Sequence, residues 1–170
     1  MFDSCVLGVD PGVAKVGLAV VARHDRSNEL RWAATIQTSS ELAESRRLRL
    51  LAEALRDAIV EHRPAVVAVE RVAWNRNQVS AIQVARATGA LMLVAAQAEL
   101  SVYEYGPNEV KQAVTGLGNA DKRQVRAALV RIHGLRDVPS QPDAADAVAV
   151  ALTHLTTARM RELGARALAR

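Results

Sequence analysis

The chain has few of the residues that mark several large classes of protein. Its 170 residues include one cysteine, Cys5, which excludes an intramolecular disulfide and fits a reducing cytoplasm. The four histidines are scattered, so nothing supports a zinc site, and no Walker-type phosphate loop occurs. No apolar run has membrane-spanning length. The N-terminus lacks the basic region and cleavage site of a signal peptide, and we therefore expect a cytoplasmic protein.

Lysine is scarce as well. Three lysines, Lys15, Lys111 and Lys122, stand beside nineteen arginines, and the net charge is +4. A basic chain favours a polyanionic partner, although many enzymes are equally basic. Because an ammonium and a guanidinium are not interchangeable, the retained lysines indicate either functional positions or chance.

The order of apolar runs and helical patterns predicts an α/β fold. The order β-β-β-α-β-α-β-α-α-α predicts a five-stranded mixed sheet with helices on both faces. A hairpin loop is expected over His24–Asn28, a first helix over Glu41–His62 with Ser40 as its N-cap, and a second over Gln78–Leu100. We expect residues 1–158 to form one domain and the basic residues 159–170 to form a tail.

Two acids stand directly after apolar strands. Asp10 follows the run 5–9, and Glu70 follows the run 65–69. Buried carboxylates are costly unless they are paired or bind a cation, and α/β folds place their sites at strand ends. The predicted strands lie side by side, which would bring the two acids together. The alternative is a structural role, since Asp before Pro-Gly commonly starts a turn.

A second pair of acids, Asp143 and Asp146, opens the last predicted helix. The spacing places both on one helix face, where they would serve as ligands. It equally suits an N-cap at Asp143 with Asp146 balancing the helix dipole. Together the four acids suit two Mg²⁺ ions, which prefer oxygen ligands and would promote phosphodiester hydrolysis.

Three basic residues are placed near a glycine-containing loop. Lys111 and Lys122 lie in neighbouring predicted helices, with Arg123 next to the second, and residues 115–118 join them. Such a loop would let a phosphate backbone approach, and a lysine near a metal pair would offset transition-state charge. The alternative is that these are ordinary solvated helical side chains.

A polar loop after Glu70 is a candidate for DNA contact. Trp74 would stack on or wedge beside a base, with Arg76 and Asn77 as polar contacts. Packing of Trp74 on the second helix is an equal alternative.

These residues together resemble one known family, the RuvC-type Holliday junction resolvases. The resemblance covers about residues 5–156 and is carried by five segments in order and spacing: residues 7–12, 69–72, 110–116, 120–122 and 143–147. It implies an RNase H-like fold and a homodimer that uses the second helix. It also implies Mg²⁺- or Mn²⁺-dependent nicking of opposed strands of a four-way DNA junction, together with the RuvA–RuvB branch-migration complex. By this resemblance, the four acids map onto the metal ligands, and Lys111 and Lys122 map onto functional lysines.

One position departs from the family pattern. Members commonly carry Phe three residues after the catalytic Glu, where this chain has Ala73, and Trp74 follows one position later. The departure concerns contact with the junction bases rather than the metal site. Two alternatives stay open: another RNase H-like nuclease that cuts branched DNA or an RNA–DNA hybrid, and a junction-binding protein without catalysis.

Overall fold

The computed structural model describes residues 4–12, 14–25, 27–71 and 78–168. Its elements follow the predicted order. The strands are β1 Ser4–Pro11, β2 Lys15–His24, β3 Ser27–Gln37, β4 Val66–Glu70 and β5 Ser101–Tyr105. The helices are α1 Glu44–His62, α2 Gln78–Gln97, α3 Pro107–Thr115, α4 Lys122–Arg131 and α5 Pro142–Leu168.

The five strands form one mixed sheet in the order β3-β2-β1-β4-β5. The first three strands are antiparallel neighbours, whereas β4 runs parallel to β1 and β5 runs parallel to β4. Strand β1 therefore lies centrally beside β4, as predicted. The pairing of Val9 with Val69 places the next residues, Asp10 and Glu70, side by side at the same edge.

Helices cover both faces of the sheet, which confirms the predicted layering. On one face, α1 and α2 pack on the strands through buried apolar side chains that include Leu55 and Leu91. On the other face, α5 lies across the sheet with α3 and α4 beside it. The core on this face includes the buried side chains of Leu129 from α4 and Leu152 from α5. Because strand side chains alternate between faces, neighbouring residues of one strand join different cores.

Helix α5 lies very close to the strands that it crosses. A Cβ at Gly8 would collide with the carbonyl oxygen of Ala147, and a Cβ at Gly17 would collide with that of Asp143. Glycine within a strand often marks such a close approach of another backbone. These two glycines therefore set the depth at which the first turns of α5 sit on the sheet.

Two predicted boundaries were wrong near β2, β3 and α1. The predicted loop His24–Asn28 is shorter, because His24 and Ser27 form the last pair of the β2–β3 ladder and Asp25 adopts a positive φ of 54°. Helix α1 begins at Glu44 with Ala43 as its N-cap, not at Glu41 with Ser40. The reason is a preceding turn, in which the Leu42 amide bonds the Ser39 carbonyl.

Helix α2 ends earlier than predicted, and α5 continues further. Beyond Gln97, the Leu100 amide donates to the Ala95 carbonyl while Glu99 adopts a positive φ of 58°, which ends the helix before Leu100. Helix α5 is continuous through Leu168, so the backbone of the predicted tail is helical to that point. Among the helices of the described residues, none has both the length and the apolar character needed to cross a membrane.

Candidate active site

One row of residues crosses all five strands on the face that α5 covers. The pairings of Thr35 with Gly17, Gly17 with Asp10, and Glu70 with Tyr105 run from β3 to β5. Asp10 and Glu70 occupy the centre of this row, at the carboxyl ends of the parallel strands β1 and β4. The fold therefore places two carboxyl groups where α/β proteins build their sites.

The Asp10 and Glu70 side chains are hydrogen-bonded to each other. Burial raises the pKa of Asp10 to about 8, and the negative charges of Glu70 and Asp146 add to the effect. Burial likewise raises the pKa of Glu70, although the hydrogen bond from Asp10 opposes the shift. Two carboxyl groups in such contact need a shared proton or a cation between them, because like charges at this separation disfavour ionisation of both.

Helix α5 brings a third acid to this pair. Asp146 is close enough to Asp10 and Glu70 for its charge to raise both of their pKa values. Its Oδ2 atom accepts a hydrogen bond from Lys122 Nζ at 2.5 Å, and this bond raises the pKa of the lysine. The prediction that Asp146 faces the strand acids is therefore supported by its position, and Lys122 is its direct partner.

Asp143 takes a more peripheral place. Helix α5 begins at Pro142, so Asp143 lies inside the first turn and is not the N-cap that the alternative interpretation required. Its charge contributes to the raised pKa of Lys122, and its backbone carbonyl oxygen lies against Gly17. Asp143 is therefore near the site at its outer edge.

Helices α3 and α4 form the opposite wall of the site. A cavity of about 300 Å³ is lined by three acids and both lysines together with four apolar or proline residues: Asp10, Glu70, Asp146, Lys111, Lys122, Pro107, Val110, Val125 and Ala149. The positive charges of Lys122 and Lys111 lower the pKa of Glu70, in opposition to its burial. The cavity thus places two flexible cations above a floor of carboxyl groups.

Local sequence explains why each lysine is held where it is. Helix α4 begins at Lys122 because Asp121 caps it: Asp121 Oδ1 accepts from the Gln124 amide at 2.7 Å, and Gln124 Oε1 accepts from the Asp121 amide at 2.8 Å. Such a capping box stabilises a helix start by about 1 kcal/mol. Helix α3 starts with Pro107, and the Glu109 side chain accepts from the Gly106 amide at 3.2 Å.

The predicted DNA contacts are only partly visible. Arg123 is exposed on α4 directly after Lys122, and it does not line the cavity. The other predicted DNA contacts lie outside the described residues, and their roles stay predictions: Trp74, Arg76 and Asn77. Ala73, which stands where family members commonly carry Phe, lies outside them as well.

Comparison with known proteins decides the family. The family model for the crossover junction endodeoxyribonuclease RuvC matches residues 6–154. The chain belongs to the RuvC family. A crossover junction endodeoxyribonuclease RuvC from Roseiflexus is 42% identical over 154 residues, which cover 91% of this chain and 92% of the relative. The RuvC family is a family of metal-dependent nucleases.

Solved structures agree with this assignment. The Thermus thermophilus RuvC bound to a Holliday junction substrate superposes with a TM-score of 0.86 and 36% identity, covering 92% of this chain and 96% of that one. The yeast mitochondrial Holliday junction resolvase Ydc2 superposes with a TM-score of 0.68 at 14% identity, covering 88% of this chain and 77% of the other. The second likeness concerns the fold alone. The predicted RNase H-like fold is confirmed.

The donor set of this RuvC-family chain fits a hard divalent cation. Carboxylate oxygens are the ligands that Mg²⁺ prefers, and the contact between Asp10 and Glu70 needs positive charge to become favourable when both are ionised. Among the described residues, however, no three acid, histidine or cysteine side chains are already gathered as a metal group. Asp146 is paired with Lys122 through Oδ2, and its other carboxylate oxygen accepts no hydrogen bond within the part of the chain that the structure describes.

The roles of Gly8 and Gly17, on which the position of α5 depends, were not predicted from the sequence. The available signal was glycine inside two predicted strands, where it is normally unfavourable. The direct pairing of Lys122 with Asp146 was not predicted either, because the two residues belong to different helices and no periodicity relates them.

Proposed function

We propose that this chain is a structure-selective endonuclease that resolves Holliday junctions by paired nicks in opposed strands. The observation that carries the proposal is the cavity in which two strand acids, one helix acid and two lysines converge. Family membership supports the substrate, because the Thermus RuvC is described in complex with a Holliday junction. A role in homologous recombination and DNA repair follows from this reaction.

The acids are proposed as the metal ligands. Asp10 and Glu70 would hold a divalent cation between them because they are already in hydrogen-bond contact. Asp146 and Asp143 would supply ligands from α5, and Mg²⁺ is proposed as the ion, with Mn²⁺ as a substitute. Two bound ions would activate a water molecule and stabilise the leaving oxygen in phosphodiester hydrolysis.

The lysines are proposed to act on the phosphate. Lys111 and Lys122 line the cavity opposite the acids, where an ammonium group would stabilise the negative charge that develops on a phosphate in the transition state. Lys122 reaches this position from an exposed side chain that now bonds Asp146. Arg123, Trp74, Arg76 and Asn77 are proposed to contact the DNA outside the cavity.

Paired nicks need two such sites. We propose a homodimer that uses α2, whose exposed Ile82 and Leu93 leave apolar surface on that helix. The same proposal includes a cytoplasmic location and cooperation with the RuvA–RuvB branch-migration complex.

A panel of substrates tests the proposed function. A mobile four-way DNA junction, a plain duplex, a branched three-way DNA and an RNA–DNA hybrid of matched sequence are each incubated with the protein and Mg²⁺. We expect cleavage of the junction well above that of the other three. Preferential cutting of the hybrid or of the three-way DNA would instead identify another RNase H-like nuclease.

Asp146→Asn tests whether the assigned cavity does the cutting. Asparagine retains the shape but removes the charge that Lys122 now contacts, so we expect junction binding to persist and nicking to fall by at least about 100-fold. Asp57→Asn is the matched control, since Asp57 is an exposed acid on α1. Nicking by the Asp146→Asn protein at the unmodified rate would contradict the site assignment.

A further inference from the structure

An exposed leucine lies in the short loop that joins the two lysine-bearing helices. Leu117 is 55% exposed, and it is the large exposed apolar residue of the fully described segment between Lys111 and Lys122. Single exposed apolar side chains are common and need no explanation by themselves. This one is notable for its place in the sequence, in the short segment that joins the two helices whose lysines line the cavity.

The loop that carries Leu117 is held by hydrogen bonds. The Leu117 amide donates to Thr115 Oγ1 at 3.0 Å, and the Leu117 carbonyl accepts from the Ala120 amide at 3.2 Å. Gln112 Nε2 donates to the Gly116 carbonyl at 2.8 Å, while Gly116 takes the left-handed conformation that ends α3. Three hydrogen bonds therefore hold the backbone around Leu117, while its side chain is exposed to solvent.

The same hydrogen bonds connect this turn to the cavity wall. Thr115 Oγ1 lies 2.8 Å from the carbonyl oxygen of Lys111, so the turn begins one helical turn beyond that lysine on the same face. On the other side, Ala120 is buried and is followed by the cap Asp121 and then Lys122. Leu117 is thus anchored at both ends to the residues that place the two ammonium groups.

We propose that Leu117 makes an apolar contact with the DNA strand next to the phosphate that is cut. The inference rests on the proposed function, since it takes junction DNA as the occupant. Successive phosphates of one strand are spaced by about 3.4 Å of helix rise, with apolar sugar faces and bases between them. A strand whose phosphate lies at Lys111 and Lys122 would carry a neighbouring sugar or base edge past Leu117.

The chemistry of this contact differs from that of the lysines. Leucine is among the residues that proteins place against or between base steps, where they favour distorted or unstacked DNA. The strands at a four-way junction have such steps at the crossover, whereas a plain duplex does not. Leu117 would therefore add to the preference for a junction, in a chain whose family aromatic position holds Ala73.

Salt dependence distinguishes an apolar contact from an ionic one. Each phosphate neutralised by a lysine releases counterions, so loss of such a lysine reduces the slope of log affinity against log salt by about one. An apolar contact releases no counterions. Replacement of Leu117 should therefore weaken binding by the same factor at every salt concentration.

The test measures junction affinity by fluorescence anisotropy on the Asp146→Asn background, where the DNA is expected to stay intact. For Leu117→Ser we expect binding about 5-fold weaker, from partial loss of leucine burial, with an unchanged salt slope. Leu117→Met should retain most of the affinity because it keeps the apolar surface. Ile132→Ser is the control: Ile132 is 66% exposed just beyond α4, and its replacement should change affinity less than about 2-fold.

The outcomes separate this inference from the proposed function. Binding by Leu117→Ser within about 2-fold of its parent, while Lys122→Ala binds more weakly with a reduced slope, would overturn the leucine contact and leave the function standing. A changed salt slope in Leu117→Ser would also overturn it. If the parent protein does not prefer a junction over duplex, the proposed function itself fails.

Discussion

The two faces of the central strand β1 are built for different purposes from alternating residues. Leu7 and Val9 are fully buried against the side chains of α1 and α2. The residues between and after them, Gly8 and Asp10, face α5 and do little apolar packing of their own. One face gains stability from burial, whereas the other permits the close approach of a helix and tolerates a costly carboxyl group.

This difference shows how a small domain divides stability from chemistry. An apolar face with well-packed side chains can offset the cost of a polar row on the opposite side of the same sheet. The candidate site lies on the face with the row Thr35, Gly17, Asp10, Glu70 and Tyr105. Helices α1 and α2 pack on the opposite face and contribute no residue to it. Substitutions on the two faces should therefore have separable effects.

The largest expected effect is a double dissociation between Asp10 and Leu7. Asp10→Asn should reduce junction nicking by at least about 100-fold while the protein stays folded, because a proposed ligand is lost but not core volume. Leu7→Ala should cost about 2–5 kcal/mol of unfolding free energy, since Leu7 is 0% exposed, yet the folded fraction should still cut. Nicking rates and urea denaturation curves measure the two effects. Near-normal cutting by Asp10→Asn would break the proposed division.

A second comparison concerns the glycines beneath α5. Gly8→Ala should lower the unfolding free energy by about 1–3 kcal/mol, because the new methyl group meets the Ala147 backbone. Gly118→Ala is the matched control. A Cβ added there would lie 3.6 Å from both the Asn108 carbonyl oxygen and Gln112 Oε1, which is ordinary van der Waals contact. That control should change stability by less than about 0.5 kcal/mol. Equal denaturation midpoints for the two variants would contradict the close approach of α5.

Much of this arrangement was predictable from local patterns, and some was not. The acids after apolar runs predicted that Asp10 and Glu70 meet, because parallel strands bring their carboxyl ends to one edge. The start of α1 was wrong because Ser39 closes a preceding turn that propensity does not reveal. The pairing of Lys122 with Asp146 depends on how α4 packs near α5, which is a tertiary contact without a sequence period.

A third prediction uses the pH dependence of stability in protein prepared with a chelator. Because the pKa of Asp10 is raised to about 8 in the folded state, its stabilising contribution is complete below the unfolded pKa and is lost as pH rises toward and through 8. Stability should therefore fall between about pH 4 and 8, with a slope of at most about 1.4 kcal/mol per pH unit from this group. Denaturation at several pH values measures it.

Asp10→Asn is the control for the pH effect, because an amide does not titrate in this range. The variant should lose part of the fall in stability that the unmodified protein shows. Addition of Mg²⁺ at pH 8 should stabilise the unmodified protein more than the variant, since a ligand that binds only the folded state adds stability. Identical pH profiles for the two proteins would mean that burial and neighbouring charges do not raise the pKa of Asp10 in the folded state.

The smallest expected effect lies at the end of the polar row. Tyr105 is 0% exposed, and its hydroxyl group shares a 2.8 Å hydrogen bond with His154 Nδ1 on α5. Tyr105→Phe should cost about 1 kcal/mol of unfolding free energy and leave nicking largely intact. Tyr103→Phe, on an exposed residue of the same strand, is the matched control and should cost less. A loss of nicking as large as that of Asp10→Asn would extend the active site to Tyr105.

The most direct test of the central claim is Mg²⁺-dependent cleavage of a mobile four-way junction, mapped on all four strands for the unmodified protein and for Asp10→Asn. The account predicts symmetric nicks in one pair of opposed strands, which Asp10→Asn does not produce although it still binds the junction. Unpaired or unspecific cuts, or cuts that persist in Asp10→Asn, would contradict the assignment of the cavity around Asp10, Glu70 and Asp146 as the site of junction resolution.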